Sequence, residues 1–120
     1  NYHVFYELLA GVSDEEREQY SFRKKPHDYK MLQGSHTAIP GHDDGEEWQH
    51  SVLPAMDILD PHGDFLGDCL YVLSSVLLCG EVIWDGGSEA KCRNKDTLAL
   101  LSDMLGVNFE SLERALSTRK

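Results

Sequence analysis

Apolar positions recur at helical spacing from the first residues of the chain. Tyr2, Phe5, Leu8 and Leu9 fall on one face and Gly11 ends the pattern, which predicts a buried helix. Ser13 followed by Glu16 has capping-box spacing, so a short acidic helix is expected from about Asp14 to Tyr20. Between Ser21 and Gly41 the pattern dissolves. Pro26, Gly34 and Pro40 punctuate that stretch and predict loop, with one turn near Asp28 to Leu32. The next helix is expected over Asp43 to Leu59, with Trp48, Val52, Ala55, Met56 and Leu59 facing inward. Pro54 lies inside it, removes a backbone hydrogen bond and clashes with the His50 carbonyl at a cost of about 3 kcal/mol, so a kink or break is expected there.

The segment from Phe65 to Cys79 leaves almost no polar face and predicts a central core helix, with Asp64 as its N-cap and Gly80 at its end. Glu81 to Trp84 can form a short extended piece, and Asp85 to Asn94 is a loop. Leu98, Leu101 and Leu105 mark another helix, closed by Gly106. Asn108 should cap a last helix that carries Leu112, Ala115 and Leu116 inward. The pattern is mainly α, without internal repeats or low-complexity tracts, and its length allows one small domain with a single core.

Composition narrows the function. A hydrophobic share of 41% and a charged share of 27% are those of a globular chain. No apolar stretch approaches the roughly 20 residues of a membrane helix. The net charge of -10 argues against nucleic acid or an anionic membrane as partner, because both need clustered Lys and Arg. Residue 1 already lies inside an apolar pattern, which fits a piece of a longer protein. Of the three cysteines, Cys69 and Cys79 are separated by about 15 Å along one predicted helix and cannot bridge. Reduced thiols in an intracellular protein are expected, with Cys69 and Cys79 inert in apolar surroundings and Cys92 in a solvated loop.

Candidate chemistry is sparse. Glu47-x-x-His50 has the spacing of carboxylate-bridged metal sites in helical bundles, but such sites need two copies and further glutamates. An acidic first helical turn with an exposed histidine accounts for it, since Asp43, Asp44, Glu46 and Glu47 all suit the helix dipole. Asp64-Phe65-Leu66-Gly67 matches the short D-x-x-G pattern of nucleotide switches, yet the sequence contains no G-x-x-x-x-G-K-[ST] to cradle phosphates. The six histidines form no triad that spacing defends. No catalytic, cofactor-binding or metal residue is assigned. Lys91, Arg93 and Lys95 form a basic cluster in an acidic chain, either a solvated loop or a contact for an acidic partner.

Several words, in order, carry a resemblance. Asn1-Tyr2-His3-Val4-Phe5-Tyr6-Glu7-Leu8-Leu9-Ala10-Gly11 looks like N-Y-H-x-F-Y-x-L-L-A-G. Asp28-Tyr29-Lys30-Met31-Leu32-Gln33-Gly34 is similar to D-Y-x-Y-L-N-Q-G, and Ile39-Pro40-Gly41-His42-Asp43-Asp44-Gly45-Glu46-Glu47-Trp48 to I-x-G-x-D-D-x-E-E-F. Ala55-Met56-Asp57-Ile58-Leu59 reads A-M-D-I-L, Leu73 to Trp84 aligns with I-L-A-A-I-L-H-L-G-N-I-x-F, and Leu105-Gly106-Val107 and Leu112-Glu113-Arg114-Ala115-Leu116 match L-G-V and L-x-x-A-L. Together they resemble the myosin motor head along essentially the whole chain. Leu78, Glu81 and Trp84 stand where His, Asn and Phe are usual, which points to an unconventional member.

The resemblance implies that residues 1–120 are a single fragment, the upper-fifty-kilodalton subdomain of a larger α/β P-loop motor head. It implies one jaw of an actin-binding cleft in an ATP-driven motor, cytoplasmic and associated with the cytoskeleton. The expected partners are the actin filament and the remainder of the head, with no nucleic acid and no membrane. ATP and Mg would bind outside this segment, which alone should hydrolyse nothing. The loop from Asp85 through Asn94 would approach acidic actin, making Lys91, Arg93 and Lys95 the candidate contacts. Arg119 and Lys120 fall at the start of a second actin-contacting loop. The alternative is a self-contained acidic helical interaction module without motor activity.

Overall fold

The computed structural model describes residues 2–23, 25–34, 38–86 and 90–118. In chain order the elements are α1 (Val4–Gly11), α2 (Asp14–Gln19), 3-10 turns at Pro26–Asp28 and Lys30–Leu32, α3 (Asp44–Glu47), a π turn (Trp48–Val52), α4 (Leu53–Leu59), α5 (Asp64–Cys79), α6 (Lys95–Leu105) and α7 (Phe109–Ser117). No named strand occurs among the described residues, and the mainly α expectation holds. The chain divides into two compact units, residues 1–74 and 75–120.

In the first unit α1 buries Phe5, Leu8 and Leu9 as its spacing predicts and Tyr6 besides, whereas Tyr2, expected on the same face, precedes the helix and is 80% exposed. Gly11 ends it for a reason the pattern does not contain. A Cβ there would lie 2.3 Å from Cδ1 of Trp48, so the close packing of this buried indole requires glycine. The carbonyls left open at the end of α1 are met by Arg17, whose guanidinium donates to the Leu9 and Val12 oxygens at 3.0 and 3.4 Å and to Arg23 O at 2.9 Å. Arg17 is held there because Ser13 and Glu16 form the expected capping box, which places α2 directly behind α1. At the other end of α2, Ser21 adopts φ 59°. Its N–H donates to Glu18 O and that of Phe22 to Arg17 O, the paired bonds of a Schellman turn. Two short turns, rather than one, follow. They bury Tyr29 and Leu32, and the Tyr29 hydroxyl accepts the Arg23 N–H at 2.6 Å while the Arg23 guanidinium lies 5.4 Å from its ring centroid.

Pro54 breaks the helix expected over 43–59 in a specific way. Asp43 caps it through the Glu46 N–H, one turn forms, and the helix then widens over Trp48–Val52, where the Leu53 N–H reaches back to Trp48 O. The α pattern restarts at Leu53, so Pro54 sits in a first turn where its missing N–H costs little. The inward face is shorter than expected. Trp48 is buried and Val52 and Met56 half-buried, but Ala55 is exposed and Leu59 is 79% exposed.

The helix α5 departs from the expected core helix. Leu70, Ser74, Leu77 and Leu78 are buried, whereas Phe65, Tyr71, Val72 and Val76 are exposed, Val72 by 61%. Burial therefore follows one stripe although the composition is apolar all round. Cys79 is exposed and Cys69 half-buried, which corrects the apolar surroundings expected for both. At its start the Phe65 N–H donates to the Asp60 carboxylate, so Asp60 acts where Asp64 was expected.

The second unit packs Leu78, Val82, Cys92, Leu98 and Leu101 together, with Trp84, Met104, Phe109 and Leu112 against them. Gly106, at φ 64°, closes α6 by a second Schellman turn, the Val107 N–H reaching Ser102 O. Asn108 caps α7 through the Ser111 N–H at 3.0 Å. Leu112 faces inward as expected, but Ala115 and Leu116 are exposed and Phe109 takes part instead.

Candidate functional site

The loop between α5 and α6 is built on an antiparallel bridge between Trp84 and Cys92. The Asp85 N–H donates to Lys91 O at 2.9 Å and the Arg93 N–H to Ile83 O at 2.8 Å, so the extended piece expected at Glu81 to Trp84 is one side of a closed loop. Asn94 locks its base. The side-chain amide donates to Glu81 O at 2.8 Å, and its oxygen accepts from the Ile83 N–H at 2.7 Å and from the Cys92 thiol at 3.6 Å. With its side chain committed there, Asn94 begins α6 through its backbone carbonyl, which accepts from Thr97 and Leu98. The Cys92 N–H donates to Glu113 Oε1 at 3.2 Å and thereby ties the loop to α7. Nothing singled out Asn94 or Glu113 in the sequence, and the one available signal is the preference of Asn for turns that use its amide.

Cys92 is not the solvated cysteine its polar neighbours suggested. It is buried at 4% exposure in the core of the second unit. Burial is the main cause that pushes its thiol pKa up; the Asn94 hydrogen bond opposes it, the Glu113 charge adds to it, and Lys95 and Asp85 act in opposite directions. It remains a protonated core residue and offers no nucleophile.

The cations lie on the outside. Lys91, Arg93 and Lys95 are all exposed. Arg93 pairs with Asp85 at 3.2 Å, both side chains more than half exposed, whereas Lys91 and Lys95 make no ion pair with any described residue. Lys95 is the first residue of α6, where the helix dipole adds to its positive field instead of offsetting it. Arg119 and Lys120 lie outside the described residues.

A second polar cluster occupies the first unit. His3 Nε2 lies 2.6 Å from Asp44 Oδ1, and His42 Nε2 lies 3.4 Å from both Asp44 Oδ1 and Glu7 Oε1. The two imidazole rings meet edge-on with centroids 5.0 Å apart. Glu47 and His50, the pair noted in the sequence, are not part of it, and His50 is exposed. The signals available were the one-turn spacing of His3 and Glu7 and the proximity of His42 to Asp44.

The family model for the myosin head (motor domain) matches residues 1–120. The chain belongs to the myosin head family. Unconventional myosin-Ic of Rattus norvegicus is 31% identical over 123 residues, covering 100% of this chain and 12% of the relative. Myosin-I heavy chain of Dictyostelium discoideum is 34% identical over 126 residues, 99% of this chain and 5% of the relative. Unconventional myosin-IXb of Rattus norvegicus is 33% identical over 128 residues, 100% of this chain and 6% of the relative. This myosin segment thus spans an eighth or less of the relatives it matches. Its described helices include none long and apolar enough to cross a membrane.

Proposed function

We propose that this segment is the upper-fifty-kilodalton part of an actin-based, ATP-driven motor head, that it contributes one side of the actin-binding cleft, and that it transmits cleft closure to a nucleotide site elsewhere in the head. Membership of the myosin head family supports the motor context. The observation that carries the actin assignment is the closed loop at 83–93. Its base is held by the bridge and by Asn94, so Lys91 and Arg93 are presented from a fixed frame with little ordering entropy to lose on binding. A fixed cationic edge suits an acidic filament, and Lys95 at the start of α6 extends it. Arg119 and Lys120 would add to the contact from a second loop. The remainder of the head is the natural cover for the exposed apolar residues of α4 and α5, such as Leu59 and Val72. ATP and Mg would bind outside this segment, and the protein would work in the cytoplasm on the cytoskeleton.

The test is a complete head carrying Lys91→Glu and Arg93→Glu. Actin co-sedimentation should weaken by about tenfold, with a shallower salt dependence. Unchanged affinity and unchanged salt dependence would remove this loop from the actin interface. The isolated segment should show no ATPase activity with or without actin.

A further inference from the structure

We propose that His3, Glu7, His42 and Asp44 form a zinc-type metal site that ties the start of α1 to the start of α3. One donor atom from each lies within 4.8 Å of the other three. The set is two imidazole nitrogens and two carboxylate oxygens, hard-to-borderline donors without thiolate that suit Zn2+ and other first-row divalent ions, and a shell of four protein donors favours zinc among them.

The geometry around His42 separates this reading from an ordinary hydrogen-bonded cluster. Its Nε2 is buried and makes no hydrogen bond, although two carboxylate oxygens stand 3.4 Å away. The distance is at the long end of the hydrogen-bond range, and it is the alignment that fails. The same distance falls within the ~3.3–3.6 Å that separates neighbouring donors around a tetrahedral zinc with bonds of about 2.0–2.2 Å. An ion placed among these atoms satisfies Nε2, and a hydrogen-bonded cluster does not. The His3–Asp44 edge, at 2.6 Å, is a hydrogen bond and must lengthen on loading. A ligating imidazole is unprotonated at the ligating nitrogen, so a proton at His3 Nε2 leaves or moves to Nδ1.

The elements supply the donors for ordinary reasons. His3 and Glu7 are one helical turn apart, and Asp44 opens α3 beside them, with His42 two residues earlier. The side chains keep 31%, 13%, 27% and 21% exposure for His3, Glu7, His42 and Asp44, so the cluster is shielded but reachable. Asp44 also lines a cavity of about 430 Å³ with Tyr6, Ala10 and His27, so one edge of the cluster borders open space. Four protein donors fill a tetrahedral shell, so the site is structural and leaves no open position for catalysis.

Metal-stripped protein titrated with Zn2+ against a chromophoric chelator should bind one zinc per chain, and its Tm should rise with zinc concentration. Glu7→Gln and His42→Gln should each weaken binding by at least about tenfold, while His50→Gln, outside the cluster, should not. Absence of stoichiometric binding, or binding unaffected in folded Glu7→Gln and His42→Gln proteins, would overturn the site and leave a cluster held by hydrogen bonds. If those variants fail to fold, X-ray absorption at the zinc edge of the unsubstituted protein decides. Two imidazole nitrogens and two oxygens support the site, and sulfur in the shell overturns it.

Discussion

The side chain of Trp48 fills the space in which Gly11 would carry a Cβ, 2.3 Å from Cδ1 and 2.5 Å from Cβ and Cγ of the indole. None of these atoms is the far end of a flexible chain. Gly11→Ala should therefore displace the indole and destabilise the segment by about 1–3 kcal/mol, although alanine is the better helix former. Urea unfolding measures this, and a neutral or stabilising result would mean that Trp48 repacks freely.

Ser21 occupies the left-handed position of a Schellman turn that Gly106 occupies at the end of α6. A serine Cβ strains that conformation. Ser21→Gly should raise stability by about 0.5–1 kcal/mol, with the gain visible as a higher unfolding midpoint and no change in helical circular dichroism. A loss of stability would argue that the freedom glycine adds to the unfolded chain outweighs the relieved strain.

Asn94→Ala removes one donor and one doubly used acceptor from the base of the loop. The expected cost is about 2–3 kcal/mol. Hydrogen exchange at Ile83 and proteolysis between Asp85 and Lys91 should both accelerate. Protection at Ile83 equal to that of the unsubstituted chain would show that the Trp84–Cys92 bridge alone closes the loop.

Cys92 and Cys79 should differ in reactivity, since Cys79 is exposed and Cys92 is not. Iodoacetamide at mildly alkaline pH should label Cys79 first and Cys92 at a rate limited by opening of the fold. The same burial gives a pH dependence of known sign. The folded thiol pKa is raised above the ordinary 9.0, so the unfolded chain ionises first. The contribution is intact below that value and is lost as pH rises through the folded pKa. Cys92→Ala should flatten the decline of stability above pH 9.0. An unchanged profile would assign the decline to other groups.

Local signals in the sequence translated directly. The capping box at Ser13 and Glu16, the Asn108 cap, the Gly106 stop and the burial of Phe5, Leu8 and Leu9 in α1 each depend on residues a few positions apart. What spacing could not supply was the identity of the covering surface. Leu59, Val72 and Leu116 lie at plausible inward positions and are exposed, because burial needs an opposing element and periodicity names none. Cys92 failed in the opposite direction, since its polar neighbours point outward from a bridge that turns the thiol inward. At the candidate sites, the basic cluster was visible as charge. The Asn94 lock and the His3–Asp44 contact, 41 residues apart in sequence, arise only from folding.

The bridge between Trp84 and Cys92 also separates two kinds of evolutionary freedom. Below it Val82 packs in the core and Asn94 makes three side-chain hydrogen bonds, so these two positions can change little. Gly86 and Ala90 follow and precede the paired positions Asp85 and Lys91, and lengthening the connection between them adds only slowly to the entropy of closure. The loop is accordingly a cassette. A tag or cross-linker inserted between Gly86 and Ala90 should leave the frame from which Lys91 and Arg93 emerge in place.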